Sequence, residues 1–193
     1  MRTPDPAVTC RMAWFSCRTW SGLVVAACLV GVAVLAASCG GSPSASGHHA
    51  DHPSTTKAAS QTAAVLAAYR AEWKAFEQAA ATANAADPAL VATMVNPLLD
   101  QVRRNLVSDH YSGIVGRGTF TLHPKVIDMT AATATVVDCA YSTAELVYAA
   151  TGKPVPPVTP PEHDGVRATL MLVGPTWKVS KQSVTDGSCP PGS

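Results

Sequence analysis

The apolar residues of this chain change their spacing once, near Gly113, and that change limits the folds open to it. Before Gly113 they recur every three or four residues, the repeat of one helical face; after it they alternate, the repeat of a strand. From about Thr62 to Ala81, Val65/Leu66, Tyr69, Trp73, Phe76 and Ala80 form such a stripe, with Arg70, Glu72, Lys74 and Glu77 at other positions. Asp87-Pro88 has the form of an N-cap and first-turn proline, opening a short helix through about Met94. Asn96-Pro97 repeats the signal. Leu98, Leu99, Val102 and Leu106 then make the stripe of a third helix ending near His110, with Arg103-Arg104 on its wet face.

Gly113, Gly116 and Gly118 read as a turn into strands. Phe120 and Leu122 alternate with Thr119, Thr121 and His123; Thr133 to Tyr141 is β-branched and alternating; Thr143 to Ala149 holds Leu146, Val147 and Tyr148. Val166 to Val173 and Thr176 to Val184 flank Gly174-Pro175, with glycine where a type II′ hairpin wants it. Trp177 and Val179 are expected to face the core, Lys178 and Ser180 the solvent. Helices first and strands after predict an α+β domain, three N-terminal helices packed on a curved antiparallel sheet.

The N-terminal segment has a different character. Arg2, Arg11 and Arg18 precede an apolar run from Leu23 to Ala37, interrupted only by Gly31. A basic flank, a short apolar stretch and small residues are the plan of a signal peptide, and the run falls short of the roughly 20 apolar residues of a spanning helix. Translation from Met1 or Met12 keeps Arg18 in either case. The run ends in Leu35-Ala36-Ala37-Ser38-Cys39-Gly40, which resembles the lipobox of bacterial lipoproteins, with leucine one place further back than the family's pattern. That resemblance implies acylation of Cys39, with palmitate among the acyl chains, and an address on the outer face of the cell membrane. Ala36 and Ser38 also suit an ordinary signal peptidase, so secretion is the alternative, as is an uncleaved anchor. Gly40 to Gly47, all Gly, Ser, Pro and Ala, reads as a flexible tether. The expected organisation is a leader over 1–38, a lipid-anchored linker over 39–60, one domain over 61–189 and a tail over 190–193.

About 155 residues after the leader suit one domain with a sizeable core. They carry eleven Lys/Arg against twelve Asp/Glu. With no basic stripe, nucleic acid is not an expected partner. Beyond Cys39 only Cys139 and Cys189 remain, and in an exported domain such a pair is expected as a disulfide. A loop of that length contributes about 4 kcal/mol on the chain-entropy account.

No HExxH, CxxC, GxSxG, P-loop or dinucleotide pattern is present, and no cofactor is expected. Candidate groups are therefore isolated. His48, His49 and His52, with Asp51, hold imidazoles close enough for zinc or copper, against the alternative of a solvated linker. Glu162-His163-Asp164 lies on a proline-rich loop before a hairpin and reads as exposed turn chemistry, against the alternative of a metal or acid–base cluster. Glu145, His110, Tyr111, Tyr141 and Tyr148 are further candidates, the last two for ligand contact. Asp138 is the best placed for catalysis, sharing a strand face with Val136 and Ala140. The opposite face, Val137, Cys139 and Tyr141, has the bulkier apolar character. It is expected to point inward and Asp138 outward.

The order and spacing of elements, the long aromatic helix and the terminal hairpin ending Thr176-Trp177-Lys178-Val179 resemble the nuclear-transport-factor-2-like superfamily over about Ala63 to Val184. Val137-Asp138-Cys139, Tyr141-Ser142, Gly152 and the GPTWKV run resemble actinobacterial lipoproteins. The resemblance implies a cone-shaped fold and an address. On it the chain is expected to be a non-catalytic envelope lipoprotein binding a small apolar ligand or an envelope protein. The alternatives are an isomerase- or dehydratase-type enzyme using Asp138 and a metal-binding lipoprotein using His48–His52.

Overall fold

The computed structural model describes residues 53–158, 160–185 and 189. Three helices, α1 (Pro53–Ala80), α2 (Pro88–Thr93) and α3 (Leu98–Tyr111), precede seven strands. The strands are β1 (Ile114–Arg117), β2 (Phe120–Thr121), β3 (Lys125–Met129), β4 (Thr133–Ser142), β5 (Glu145–Tyr148), β6 (Glu162–Val173) and β7 (Thr176–Thr185). This is the α+β architecture that the change in periodicity predicts. Among the described residues, no helix is long and apolar enough to cross a membrane.

All strand pairings are antiparallel. The main sheet runs β2-β4-β6-β7, with β3 also paired to β4, and β1 and β5 make a separate two-stranded ribbon. Register shifts interrupt the ladder between Val126 and Asp128 and between Thr169 and Leu170. Such bulges bend a strand and sharpen its twist, which curves the sheet around α1. One core cluster joins Val65, Tyr69, Trp73 and Phe76 of α1 to Leu90, Met94, Leu98, Val102 and Leu106 of the other helices. On the sheet side it takes in Val136, Ala168, Leu170 and Val179.

Several local signals hold. Asp87 caps α2, its Oδ1 accepting from the Ala89 N–H at 2.8 Å. Gly174 has φ +59 and Pro175 follows it, as a type II′ hairpin requires. Gly116 lets the β1–β5 ribbon come close to the end of α1: a Cβ there would sit 3.0 Å from Ala80 Cβ.

Other expectations need correction. α1 begins at Pro53, inside the stretch expected to be linker, with proline at the first helical turn, where its missing N–H costs nothing and its φ is already helical. Asn96 caps nothing: Pro97 itself is the N-cap of α3, with no side-chain cap bond. Ser180 is buried rather than solvent-facing. The bulge opposite Thr169/Leu170 leaves it as the extra residue, with its hydroxyl donating to the Thr169 carbonyl at 3.1 Å.

Candidate functional site

The candidate site lies between α1 and the inner face of the main sheet. β4 alternates strictly, with Ala134, Val136, Asp138 and Ala140 buried, while Val137, Cys139 and Tyr141 are only half-buried. The face expected to point outward is therefore the inner one, and Asp138 points into the domain at 6% exposure. The reason is volume. The Tyr69, Trp73 and Phe76 rings of α1 lie over this part of the sheet, with Trp73 4.3 Å from the Phe120 ring, so the strand face beneath them is short-chained. Bulk, the basis for the opposite expectation, marks the wrong face.

Asp138 is held by one oxygen. Its Oδ1 accepts from the backbone N–H of His123 at 2.7 Å, while Oδ2 is buried with no hydrogen-bond partner among the described residues. Burial raises its pKa above the usual carboxylate range, partly offset by that N–H and then by the Tyr69 hydroxyl.

Tyr69, fully buried, stands edge-on to Trp73 with ring centroids 6.3 Å apart. Its hydroxyl interacts with the Asp138 carboxylate and the Trp73 indole and feels the Glu72 charge, yet among the described residues it closes no hydrogen bond of good geometry. Burial first, and the Asp138 charge second, push its ionisation far upward, so the phenol stays a hydrogen-bond donor.

Glu72 completes the group. It is 0% exposed, and both carboxyl oxygens lack a partner among the described residues. Burial alone lifts its pKa to about 8. At neutral pH Glu72 is therefore mostly a neutral acid, able to donate as well as accept. Gln182 adds a primary amide on the same inner face, its nitrogen and oxygen both buried and unpartnered among the described residues. The β4–β6–β7 register places it opposite Ala168 and Val136, one inner-face row from Asp138.

Read by its charge, Glu72 falls outside the apolar stripe of the helix. Its position gave the better signal: three residues after Tyr69 and seven after Val65, it falls on the apolar stripe itself.

The other candidates do not join this group. Tyr141 lies on the outer sheet face, its ring centroid 4.9 Å from that of His163. Tyr148 is exposed at the end of β5, and His110 and Tyr111 are exposed at the end of α3. Glu145 sits opposite Arg117 in the β1–β5 ribbon. Glu162, His163 and Asp164 are not on a loop but open β6, paired with Ser142, Tyr141 and Ala140. Successive strand side chains face opposite ways, so these three do not converge. Among the described residues no group of three His, Cys, Asp or Glu is placed to hold a metal. Cys39 and His48, His49 and His52 lie outside the described residues. Cys139 and Cys189 are both half-buried.

No family model matches the chain, and no curated protein matches it. Solved structures do. The intermembrane-space region of the chloroplast protein ARC6 superposes with a TM-score of 0.53 at 14% identity, over 65% of this chain and 96% of that one. A putative scytalone dehydratase from Novosphingobium aromaticivorans gives 0.47 at 12% identity, over 72% and 98%. An NTF2-like protein of unknown function from Prochlorococcus sp. NATL2A gives 0.43 at 15% identity, over 66% and 94%. The likeness to the ARC6 region is one of fold alone.

Proposed function

We propose that this chain is an exported envelope lipoprotein, anchored through Cys39, whose domain binds a small uncharged ligand between α1 and the inner sheet face. One observation carries the binding reading: Tyr69, Glu72, Asp138 and Gln182 bring to one interior buried polar atoms that close no well-formed hydrogen bond among the described residues. Native interiors satisfy such atoms, and a group left unmet costs about 1–3 kcal/mol, so an interior with several is built to receive hydrogen bonds from outside the chain. Tyr69 and protonated Glu72 offer donors, and Asp138 Oδ2 offers an acceptor. Trp73, Phe76 and Val136 supply apolar walls. The complementary ligand is compact and mostly apolar, with a carbonyl or ether oxygen and a hydroxyl. A carboxylate ligand is disfavoured, since it would meet two acids in a desolvated space.

The test is a titration followed by NMR at the Trp73 indole N–H, using cyclohexanone, cyclohexanol and cyclohexanecarboxylate as probes. The two neutral probes should shift the signal, and the carboxylate should not. No shift with any of them sinks the binding reading.

The hold on Asp138 favours a second reading, in which the domain moves a proton. A carboxylate fixed through one oxygen, with the other left toward Tyr69 in the interior, suits a general base. In that case Asp138 would take the proton and Tyr69 would donate to the oxygen on which charge develops. Turnover of an isomerisable or dehydratable probe that disappears in Asp138→Asn, with the fold retained, would select this reading over simple binding.

A further inference from the structure

The outer face of the sheet carries a second arrangement, on the reverse of the strand that bears Asp138. Cys139 is one residue from Asp138 and so points to the opposite side of β4. In the ladder Cys139 pairs with Gly165, and Gly165 pairs with Thr185, the last residue of β7. Two strand spacings separate β7 from β4, roughly 10 Å. The four-residue step from Thr185 to Cys189 reaches at most about 13 Å, just enough to return to β4. Gly165, between the two, brings no side chain to that face. Cys189 is indeed back at β4: its Sγ lies 4.0 Å from the Asp138 carbonyl oxygen, the atom group adjoining Cys139, and both thiols are half-buried.

We propose that Cys139 and Cys189 are a modification site, oxidised to a disulfide that clasps the C-terminal end of the chain across β6 onto the back of β4. The reaction is thiol–disulfide exchange with an extracytoplasmic oxidoreductase that carries a reactive disulfide. One cysteine thiolate attacks a sulfur of that disulfide, breaking its S–S bond and forming a mixed disulfide. The second thiolate then attacks the mixed disulfide and releases the other partner sulfur. This chain loses two electrons and two protons, and the partner gains them as two thiols. Export, part of the proposed function, supplies the oxidant; the juxtaposition of the two cysteines does not depend on export. The clasp also differs from a tail staple elsewhere in the fold, because the strand it holds is the one that positions the interior acid.

The full chain, reduced and then exposed to oxidised glutathione, tests the site apart from its location. The expected product is a cross-linked pair of peptides containing Cys139 and Cys189, lighter than the reduced pair by two hydrogens. Cys139→Ser should leave a glutathione adduct on Cys189, and Cys189→Ser one on Cys139. Oxidised protein should melt at a higher temperature than reduced protein, and the difference should vanish in both variants. Persistent glutathione adducts on both cysteines of the unsubstituted protein would overturn the proposal, as would an unchanged melting temperature after the bridge forms. A bridge that forms with glutathione but is missing from protein recovered from the cell envelope would instead count against the export reading while leaving the site standing.

Discussion

The backbone N–H of His123 donates to Oδ1 of Asp138 across 2.7 Å, so the segment leading into β3 is anchored on an acid in the middle of β4. This one contact orients the carboxylate and leaves Oδ2 facing Tyr69 and the rest of the inner cluster.

Asp138→Ala would leave the His123 N–H without its acceptor in a partly buried place. We expect a loss of about 1–3 kcal/mol in chemical denaturation. Asp138→Asn retains an oxygen for that N–H and should stay much closer to the parent in stability. Equal losses in the two variants would show that the His123 contact contributes little.

Tyr69→Phe separates a binding role from a structural one. The hydroxyl closes no bond of good geometry among the described residues, so removing it should change stability by less than about 1 kcal/mol. Binding of cyclohexanone, followed at Trp73, should weaken several-fold. A large loss of stability with unchanged binding would assign the hydroxyl to the core.

Glu72 gives the domain a pH signature. Its pKa rises from 4.5 to about 8 on folding, so between those values the folded state holds the proton that the unfolded state has released. Stability from this group is therefore fully present below pH 4.5, falls as pH rises toward 8 and is gone above it. The total is on the order of 5 kcal/mol if burial is undiminished by local opening. Raised Asp138 acts in the same direction at lower pH. Thermal melts from pH 5 to 9 should show a declining melting temperature, and Glu72→Gln should flatten most of that slope. A variant with the parent's slope would place the titration elsewhere.

Gly118 is required by the ribbon's approach to the main sheet. Its φ is +91, and a Cβ there would lie 2.2 Å from the Thr143 carbonyl oxygen. Gly118→Ala should therefore cost well over 1 kcal/mol. Gly152→Ala, with φ +65 but open space around it, should cost only about 1–2 kcal/mol, the left-handed penalty alone. Equal costs in denaturant titrations would contradict the close approach.

Acylation is tested at Cys39. Mass spectrometry of membrane fractions should find a diacylglyceryl-modified peptide beginning at that residue, and Cys39→Ala should move the protein into the soluble fraction. Unmodified protein in the medium would support plain secretion.

The chain's periodicities determined the α+β class, the three helices, the β6–β7 hairpin and its glycine turn, because each of these depends on neighbours within a few residues. The Asp87 cap and the Tyr69–Trp73–Phe76 stripe were legible for the same reason. The interior site was not. Whether Asp138 or Cys139 faces the core is one bit that a strand's alternation leaves open, and it was decided by the volume of the α1 rings above β4. Glu72 reads as a surface acid until the sheet closes over its side of the helix, and Ser180 reads as outward until a bulge shifts β7 by one residue. In each case local pattern names the possible orientations. Only long-range packing, through excluded volume and strand register, selects one and so brings two acids and a phenol together in the domain's interior.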